Sequence, residues 1–524
     1  MHLPLDVFQT VQCISGKPAD RLGNDHVNIY CYARFDHAVE FFAVFITCTG
    51  YAPQECGFTQ ILGIYRLTDQ VEDLIIKLLK KAYIRKYKDR KMLIERNLYL
   101  RSLIDRKHNG MIKVITGVRR CGKSFLLTDI YSPYLHSTGG DDNHIITLAL
   151  DDDNNIKYRN PIELGSYIRS LLVDQDNMYY IFLDEIQKVE EIQNPYIQGV
   201  ESKIGFVDVL LGLMKLKNVD LYVTGSNSKF LSSEIMTEFR GRGDEIRVYP
   251  LSFAEFYSAK NGNFTDAWNE YQTYGGLPAI MTMPTEKQKA DYLRNLFSNV
   301  YLKDVIERHG IKSVEDLNNV VNILASSIGT PTNPTKISNT FLSAKKMICT
   351  NKTVSKYIDY LEDSFLVSKA NRYDIKGRRY IDANLKYYFV DMGLRNARLN
   401  FRQQEVTHIM ENIIFNELLI RGYNVDVGVV EINAKNAEGK SIRKQLEVDF
   451  VINQSCQRFY IQAAYEMYTP EKQDQERRSL INVKDSFKKI IIVRDDIKPW
   501  HDDNGFLILG LKDFLLNQRS LENF

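Results

Sequence analysis

Residues Gly117 to Ser124 read GVRRCGKS, two glycines, a lysine and a hydroxyl at a spacing suited to one chemical task. Gly117 and Gly122 let the backbone turn tightly with its N–H groups pointing inward, where they cradle phosphate oxygens together with the positive end of a following helix. Lys123 is placed to neutralise β- and γ-phosphates, and Ser124 to offer a hydroxyl to magnesium. The expected nucleotide contacts are therefore Gly117, Val118, Arg119, Arg120, Cys121, Gly122, Lys123, Ser124 and Phe125. A glycine turn can match such a pattern by chance. Here Ile112 to Thr116 (IKVIT) reads as a buried strand and Phe125 to Ile130 as the start of a helix, the flanks that the motif requires.

Binding phosphate is not hydrolysing it. The run Tyr179 to Gln187, YYIFLDEIQ, is an apolar strand ending in two carboxylates. Asp184 is expected to hold magnesium with Ser124, usually through water, and Glu185 to polarise the attacking water as general base. An acidic pair after a strand is often no more than a helix cap; beside the phosphate loop the catalytic reading is stronger. Neighbours on a strand point to opposite faces, so both can serve one site only if the chain turns at the strand end. A third strand, Leu221 to Thr224, runs into GSNSKFL, where Ser226 or Asn227 can hold water or read the γ-phosphate. The run FRGRGDEI follows, with Arg240 and Arg242 on a surface loop. An arginine reaching the transferring phosphate contributes about 10³–10⁵ in rate, but a solvated basic turn explains either arginine equally well.

These residues need a scaffold that brings strand ends together. Strands are expected at Ile112–Thr116, Ile145–Leu150, Tyr179–Leu183, Leu221–Thr224 and Glu245–Val248, with helical stretches between them. Such alternation implies a parallel sheet covered by helices, with ligand at the carboxyl ends of the strands. The fold class is thus α/β.

The ordered series GVRRCGKS, FLDEIQ, VTGSNSKFLSSEIMTEFRGRG and PLSFAEF resembles a family of prokaryotic AAA-type P-loop ATPases. In that family a winged helix and a C-terminal domain of unknown function follow the ATPase domain. The resemblance runs from about Met92 almost to the C-terminus. It implies an additional-strand P-loop sheet, with the sensor strand between the Walker A and Walker B strands, and a helical lid. Carried onto this sequence, it implies ATP and Mg²⁺ as ligands, Asn227 as sensor, and Arg242 before Arg240 as arginine finger. It also implies that Gly276 and Pro278, in YGGLPAI, lie in the lid near the adenine, although a helix-breaking turn would read the same.

Composition sets the outer bounds. A chain of 524 residues is too long for one core. Its 44% hydrophobic and 26% charged residues are ordinary for a globular protein. With 68 basic against 66 acidic residues there is no global case for nucleic acid; only a local patch could make one. The stretch Ala38 to Cys48 contains Glu40 and is too short to span a membrane, and no signal peptide is expected. Seven cysteines, one of them Cys121 within the phosphate loop, fit a reducing cytoplasm and no disulfide framework or zinc site.

Residues 1–91 stand apart, holding four of the seven cysteines and little periodicity; they are expected to be an unusual extension of uncertain order or translated upstream sequence. The remaining division is expected at 92–250 for the ATPase core, 251–312 for the helical lid, 313–379 for a winged helix and 380–524 for a C-terminal domain. In the third unit, NKTVSKYIDYLEDSFLV has Asn351 or Thr353 as a cap and apolar residues at helical spacing. Lys352 and Lys356, with Lys376, Arg378 and Arg379 on a turn, could meet DNA phosphates, but the same fold also serves protein contacts.

The last unit is expected to run helix (Ile409–Arg421), three strands (Val425–Ile432, Gln445–Ile452, Phe459–Ala464), helix (Gln473–Val483) and strand (Lys489–Val493). That order resembles the core of restriction-endonuclease-like proteins, which use a helix carboxylate, a strand aspartate and E-x-K on the next strand. Glu411 or Glu417 and Asp449 match. Gln462 and Ala464 stand where the glutamate and lysine belong, so a nuclease-like fold without nuclease activity is expected.

The function expected is a Mg²⁺-dependent ATPase that couples its nucleotide state to a partner through the winged helix and C-terminal domain. A slow nucleotide-dependent signalling or DNA-binding switch is the alternative, and an active nuclease is disfavoured. DNA, a protein partner and further copies of the chain all stay open as partners; a membrane does not.

Overall fold

The computed structural model describes residues 94–522, except 198–201, 227–240, 261, 346–348, 403–404, 436–439 and 455–456, together with four backbone strands nearer the N-terminus. Those four (Gln9–Val11, His26–Asp36, Val39–Thr49, Gln60–Arg66) form an antiparallel sheet in chain order.

The first large sheet is wholly parallel. Its strands are β1 (Ile112–Thr116), β2 (Ile145–Ala149), β3 (Tyr179–Asp184), β4 (Val219–Thr224) and β5 (Gly243–Arg247), in spatial order β5-β1-β4-β3-β2. The strand carrying the third motif, β4, is thus inserted between β1 and β3, as the additional-strand arrangement requires. Every residue of β1 is buried, as a central strand of a covered sheet must be. Lys113 is the one charge in that run, and its ammonium is answered inside the core by Asp220 of β4. Register aligns the strand ends: Leu183 pairs with Val223, and Thr224 with Ile115. The last residue of β3, the last of β4 and the loop after β1 therefore meet at one edge.

Helices cover both faces. α1 (Asn97–Asp105) precedes β1, and α2, continuous over 123–137, leaves the phosphate loop with a π-wound middle at Leu126–Tyr131. After β5 come α3 (Phe253–Lys260), α4 (Phe264–Tyr274) and α5, a helix over 286–309 whose turn Phe297–Leu302 is also π-wound. Next come α6 (Val314–Ser326), α7 (Pro334–Lys345) and α8 (Asn351–Asp363). The cap of α8 is Thr350, whose hydroxyl accepts the Thr353 N–H at 3.2 Å; neither Asn351 nor Thr353 does this work.

The second large sheet is mixed and has eight strands. A hairpin of β6 (Val367–Asp374) and β7 (Arg379–Phe389) joins it edge-on, β6 pairing in parallel with β8 (Asn424–Lys435). The sheet continues through β9 (Ser441–Gln454), β10 (Gln457–Ala464) and β11 (Lys488–Val493), and ends in Leu507–Gly510 and Trp500–His501. It is therefore continuous across positions 379 and 380. α9 (Met392–Arg398), α10 (Val406–Ile420) and α11 (Pro470–Ile481) accompany it. The order α10-β8-β9-β10-α11-β11 is the one expected from the periodicity.

Candidate nucleotide site

The loop after β1 has the shape its sequence demands. Gly117 (φ +141°) packs so closely that a Cβ there would lie 2.1 Å from the Val248 carbonyl oxygen. Gly122 (φ +98°) takes the left-handed turn that opens α2. Val118 and Cys121 are buried, Arg120 and Phe125 are exposed, and the Ser124 hydroxyl group belongs to an exposed residue. Lys123 is buried, and its Nζ donates to the loop's own carbonyls, Gly117 O at 3.0 Å and Val118 O at 3.2 Å. The ammonium is thereby held over the concave side of the loop.

Three residues outside the motif brace the loop. Arg96, ahead of α1 and almost wholly buried, donates from Nη1 to Cys121 O at 2.9 Å and from Nη2 to Tyr249 O at 2.8 Å. Its Nε pairs with Glu255 of α3 at 3.2 Å. Tyr301 on α5 donates to Arg119 O at 2.6 Å, and Asp304 accepts from Arg119 Nη2 at 2.7 Å. α5 is thus tied to the phosphate loop by hydrogen bonds. Pro278 lies beside the loop as well: a Cβ on Gly122 would be 3.9 Å from its Cγ.

The carboxylates are joined by a residue that motif reading passed over. The Thr224 hydroxyl, at the end of β4, donates to Asp184 Oδ1 and accepts the Glu185 N–H at 3.0 Å. Glu185 adopts φ +52°, which is uncommon outside glycine. That turn brings two neighbouring carboxylates to one edge of the sheet. Gln187 donates its amide N–H to Glu185 Oε2 and lies 3.5 Å from Ser226 Oγ, while its Oε1 is buried with no partner among the described residues. Ser226 also accepts from Arg119 Nε at 3.2 Å. Thr224 was legible only as a hydroxyl at a strand end; its role depends on the register between β3 and β4.

Asn227 and Arg240 lie outside the described residues. Arg242 is exposed and precedes β5, and its carbonyl accepts the Ile112 N–H at 2.9 Å. This places it at the amino end of β1, about 16 Å of strand from the loop at the carboxyl end. A finger at Arg242 does not reach the phosphate loop of its own chain.

The oxygen set suits magnesium. The Ser124 hydroxyl and an Asp184 carboxylate with only one oxygen engaged among the described residues are hard donors of the kind Mg²⁺ takes, with room for water. The C-terminal sheet behaves differently. There Glu411 of α10, Glu447 and Asp449 of β9 converge, while Glu417 instead pairs with Arg421 at 2.8 Å. Into the middle comes Lys386 of β7, with Nζ 2.7 Å from Glu411 Oε1, 2.7 Å from Glu447 Oε1 and 3.9 Å from Asp449 Oδ1. Tyr388 also donates to Glu411 at 2.6 Å. Gln462 bonds to Glu476 and Ser479 of α11, and Ala464 is buried. Lys386 places one protein cation among these three carboxylates, and among the described residues no group of three or more His, Cys, Asp or Glu side chains is arranged to hold a metal ion. These residues do not fit the divalent ion that a nuclease-like reading implies.

Residues 109–257 match a family described as "AAA domain", and residues 265–405 one described as "Domain of unknown function (DUF8612)". An uncharacterized protein of Haemophilus influenzae is 36% identical over 431 residues, covering 81% of this chain and 99% of its own length. An uncharacterized protein of Methanocaldococcus jannaschii is 28% identical over 378 residues, covering 69% and 76%. Among solved structures, Aeropyrum pernix ORC1 in complex with DNA aligns over 60% of this chain and 95% of its own, at 14% identity and a TM-score of 0.28. C. elegans PCH-2 aligns over 57% and 68%, at 13% identity and 0.22. Scores this low carry no inference about function. No helix among the described residues is long and apolar enough to cross a membrane.

Proposed function

The chain belongs to the same family as its Haemophilus influenzae relative and carries an AAA domain over residues 109–257, and from these and the site's geometry we propose that it binds ATP with Mg²⁺ and hydrolyses it to ADP and phosphate. The observation that carries this reading is the Thr224 hydroxyl, which holds Asp184 and the Glu185 backbone together at the strand edge beside the phosphate loop. In this mechanism the loop N–H groups of 117–124 bind the phosphates. Lys123 exchanges the Gly117 and Val118 carbonyls for β- and γ-phosphate oxygens. Ser124 and Asp184 hold magnesium, which neutralises charge on those oxygens when bound. Glu185 accepts a proton from the attacking water. Asn227 is the sensor, and Arg242, or else Arg240, supplies charge to a neighbouring subunit's site, so the active form is a homo-oligomer.

Units 92–250, 251–312, 313–379 and 380–524 divide the work in this proposal: core, lid, winged helix and a nuclease-like domain without nuclease activity, the last two sharing one sheet through β7. Tyr301 and Asp304 connect the lid to the loop, so a change in nucleotide passes to the lid and onward to a DNA or protein partner. The test is ATP turnover by purified protein over a range of concentrations, beside Lys123→Ala. Turnover that the variant loses, with specific activity rising with concentration, is expected. Turnover that survives in the variant overturns the assignment.

A second reading, a slow nucleotide switch, draws support from Gln187, whose amide occupies a Glu185 oxygen that a general base must free. Gln187→Ala then accelerates hydrolysis, whereas the rapid ATPase reading expects no gain.

A further inference from the structure

The turn between β6 and β7 is folded against the far end of the C-terminal sheet. There Lys376 and Arg378 of the turn face Arg458 of β10 and Lys484, which follows α11, across a cleft of about 520 Å³. Four cations share it with one carboxylate, Asp485, in a chain whose net charge is only +2. Asp485 is already engaged, accepting the Tyr460 hydroxyl at 2.5 Å and the Phe487 N–H at 3.3 Å. Two nearby aspartates are likewise committed. Asp374 accepts the Gly377 N–H at 2.9 Å, and Asp426 accepts the Tyr380 hydroxyl at 3.1 Å. Arg378 and Lys484 are both exposed, and neither has an ion-pair partner among the described residues.

Aromatic rings sit among these charges. The Arg458 guanidinium lies over the rings of Tyr373 and Phe487, 5.4 Å from each centroid, and its Nε donates to Asn453 Oδ1 at 2.9 Å. Phe487, which lines the cleft, is 41% exposed. Positive charge that tracks a phosphate backbone, with flat rings on which unpaired bases stack, is the chemistry of single-strand binding. A duplex hides its base faces and gains nothing from the rings. An acidic peptide gains from the cations alone.

We propose that this cleft binds a single-stranded nucleic acid, with Arg378 and Lys484 on its phosphates and Phe487 stacking on its bases. The site is separate from the phosphate loop and does not depend on ATP turnover. It makes the β6–β7 turn one wall of a nucleic-acid groove whose other wall is the C-terminal domain.

The experiment is fluorescence anisotropy on the full chain with a labelled oligothymidylate 20-mer, titrated at several salt concentrations. Arg378→Ala with Lys484→Ala should weaken binding about tenfold or more and lower the slope of log affinity against log salt by about 1.4, two phosphates' worth on a single strand. Phe487→Ala should weaken binding about fivefold or more with the slope unchanged. Arg378 and Lys484 are exposed and the Phe487 ring is partly covered, so cooperative melting of each variant well above the assay temperature is the control that it folds. Wild-type affinity retained in both variants overturns the proposal. So does absence of binding by the wild type, equal affinity for a 20-base-pair duplex, or equally effective competition by polyglutamate.

Discussion

Thr224 Oγ1 accepts the Glu185 N–H at 3.0 Å while donating its own hydrogen to Asp184, so one hydroxyl sets the positions of two consecutive carboxylates. Thr224→Val keeps the shape of the β4 terminus and removes both bonds. Glu185 then loses the support of its left-handed turn. Turnover should fall about tenfold to a hundredfold, a loss of roughly 1.4–2.7 kcal/mol in the barrier. Nucleotide affinity should change by less than threefold or so, because the phosphate loop is untouched. Steady-state kinetics beside equilibrium binding of a fluorescent ATP analogue separates the two. A loss confined to affinity would contradict this positioning role.

Asp391 predicts a pH dependence. Its buried carboxylate accepts the Gly276 N–H, which follows α4, at 2.7 Å and caps α9 through the Leu394 N–H at 3.0 Å. Burial pushes its pKa from 3.8 up to about 6, against three backbone N–H groups that favour the charged form. The sign follows from proton counting. Between about pH 6 and 3.8 the folded chain holds a proton that the unfolded chain has released. This group's contribution to stability is therefore full below 3.8 and lost as the pH rises through about 6. Asp391→Asn cannot titrate. Relative to wild type, the variant should lose about 1 kcal/mol between pH 7 and pH 5, read from denaturant unfolding at both values. A constant difference would show that Asp391 does not titrate in this window.

Lys386 makes the third prediction. Its ammonium is buried between Glu411 and Glu447 and links β7 to α10 and β9. Lys386→Met takes the buried ammonium from those carboxylates and leaves, among the described residues, only His408, 3.6 Å from Glu411, which should cost about 3–5 kcal/mol. In the wild type, Mn²⁺ should give no increase in melting temperature that Asp449→Asn abolishes. In the Lys386→Met variant such an increase should emerge, because the metal then replaces the lost charge. An Asp449-dependent Mn²⁺ shift in the wild type would mean that metal displaces the lysine, and the cluster would have to be read as a metal site.

Much of this was legible from local sequence. The five strands of the first sheet and the six elements of the C-terminal unit are recognisable because apolar runs bounded by turns are short-range signals. The phosphate loop is legible for the same reason: its glycines, lysine and serine act within eight consecutive residues, and the backbone they impose is local. The lack of E-x-K at Gln462 and Ala464 could be read from two positions.

Tertiary structure decided whatever depends on residues distant in the chain. Thr224 meets Asp184 only because β4 is inserted between β1 and β3 in the observed register. Arg96 reaches Cys121, Tyr249 and Glu255 only once three segments pack together. Arg242 reads as a finger candidate from its loop, yet the parallel pairing of β5 with β1 places it at the opposite end of the sheet from its own phosphate loop. The choice of Glu411 over Glu417, and the arrival of Lys386 among the carboxylates, follow from how β7 crosses the face of α10 and β9. The basic turn at 375–378 gains its aromatic neighbours because β6 adds to the edge of the C-terminal sheet. Periodicity and motif spacing record which atoms a segment presents to its surroundings; only packing and strand register determine which distant segment supplies those surroundings.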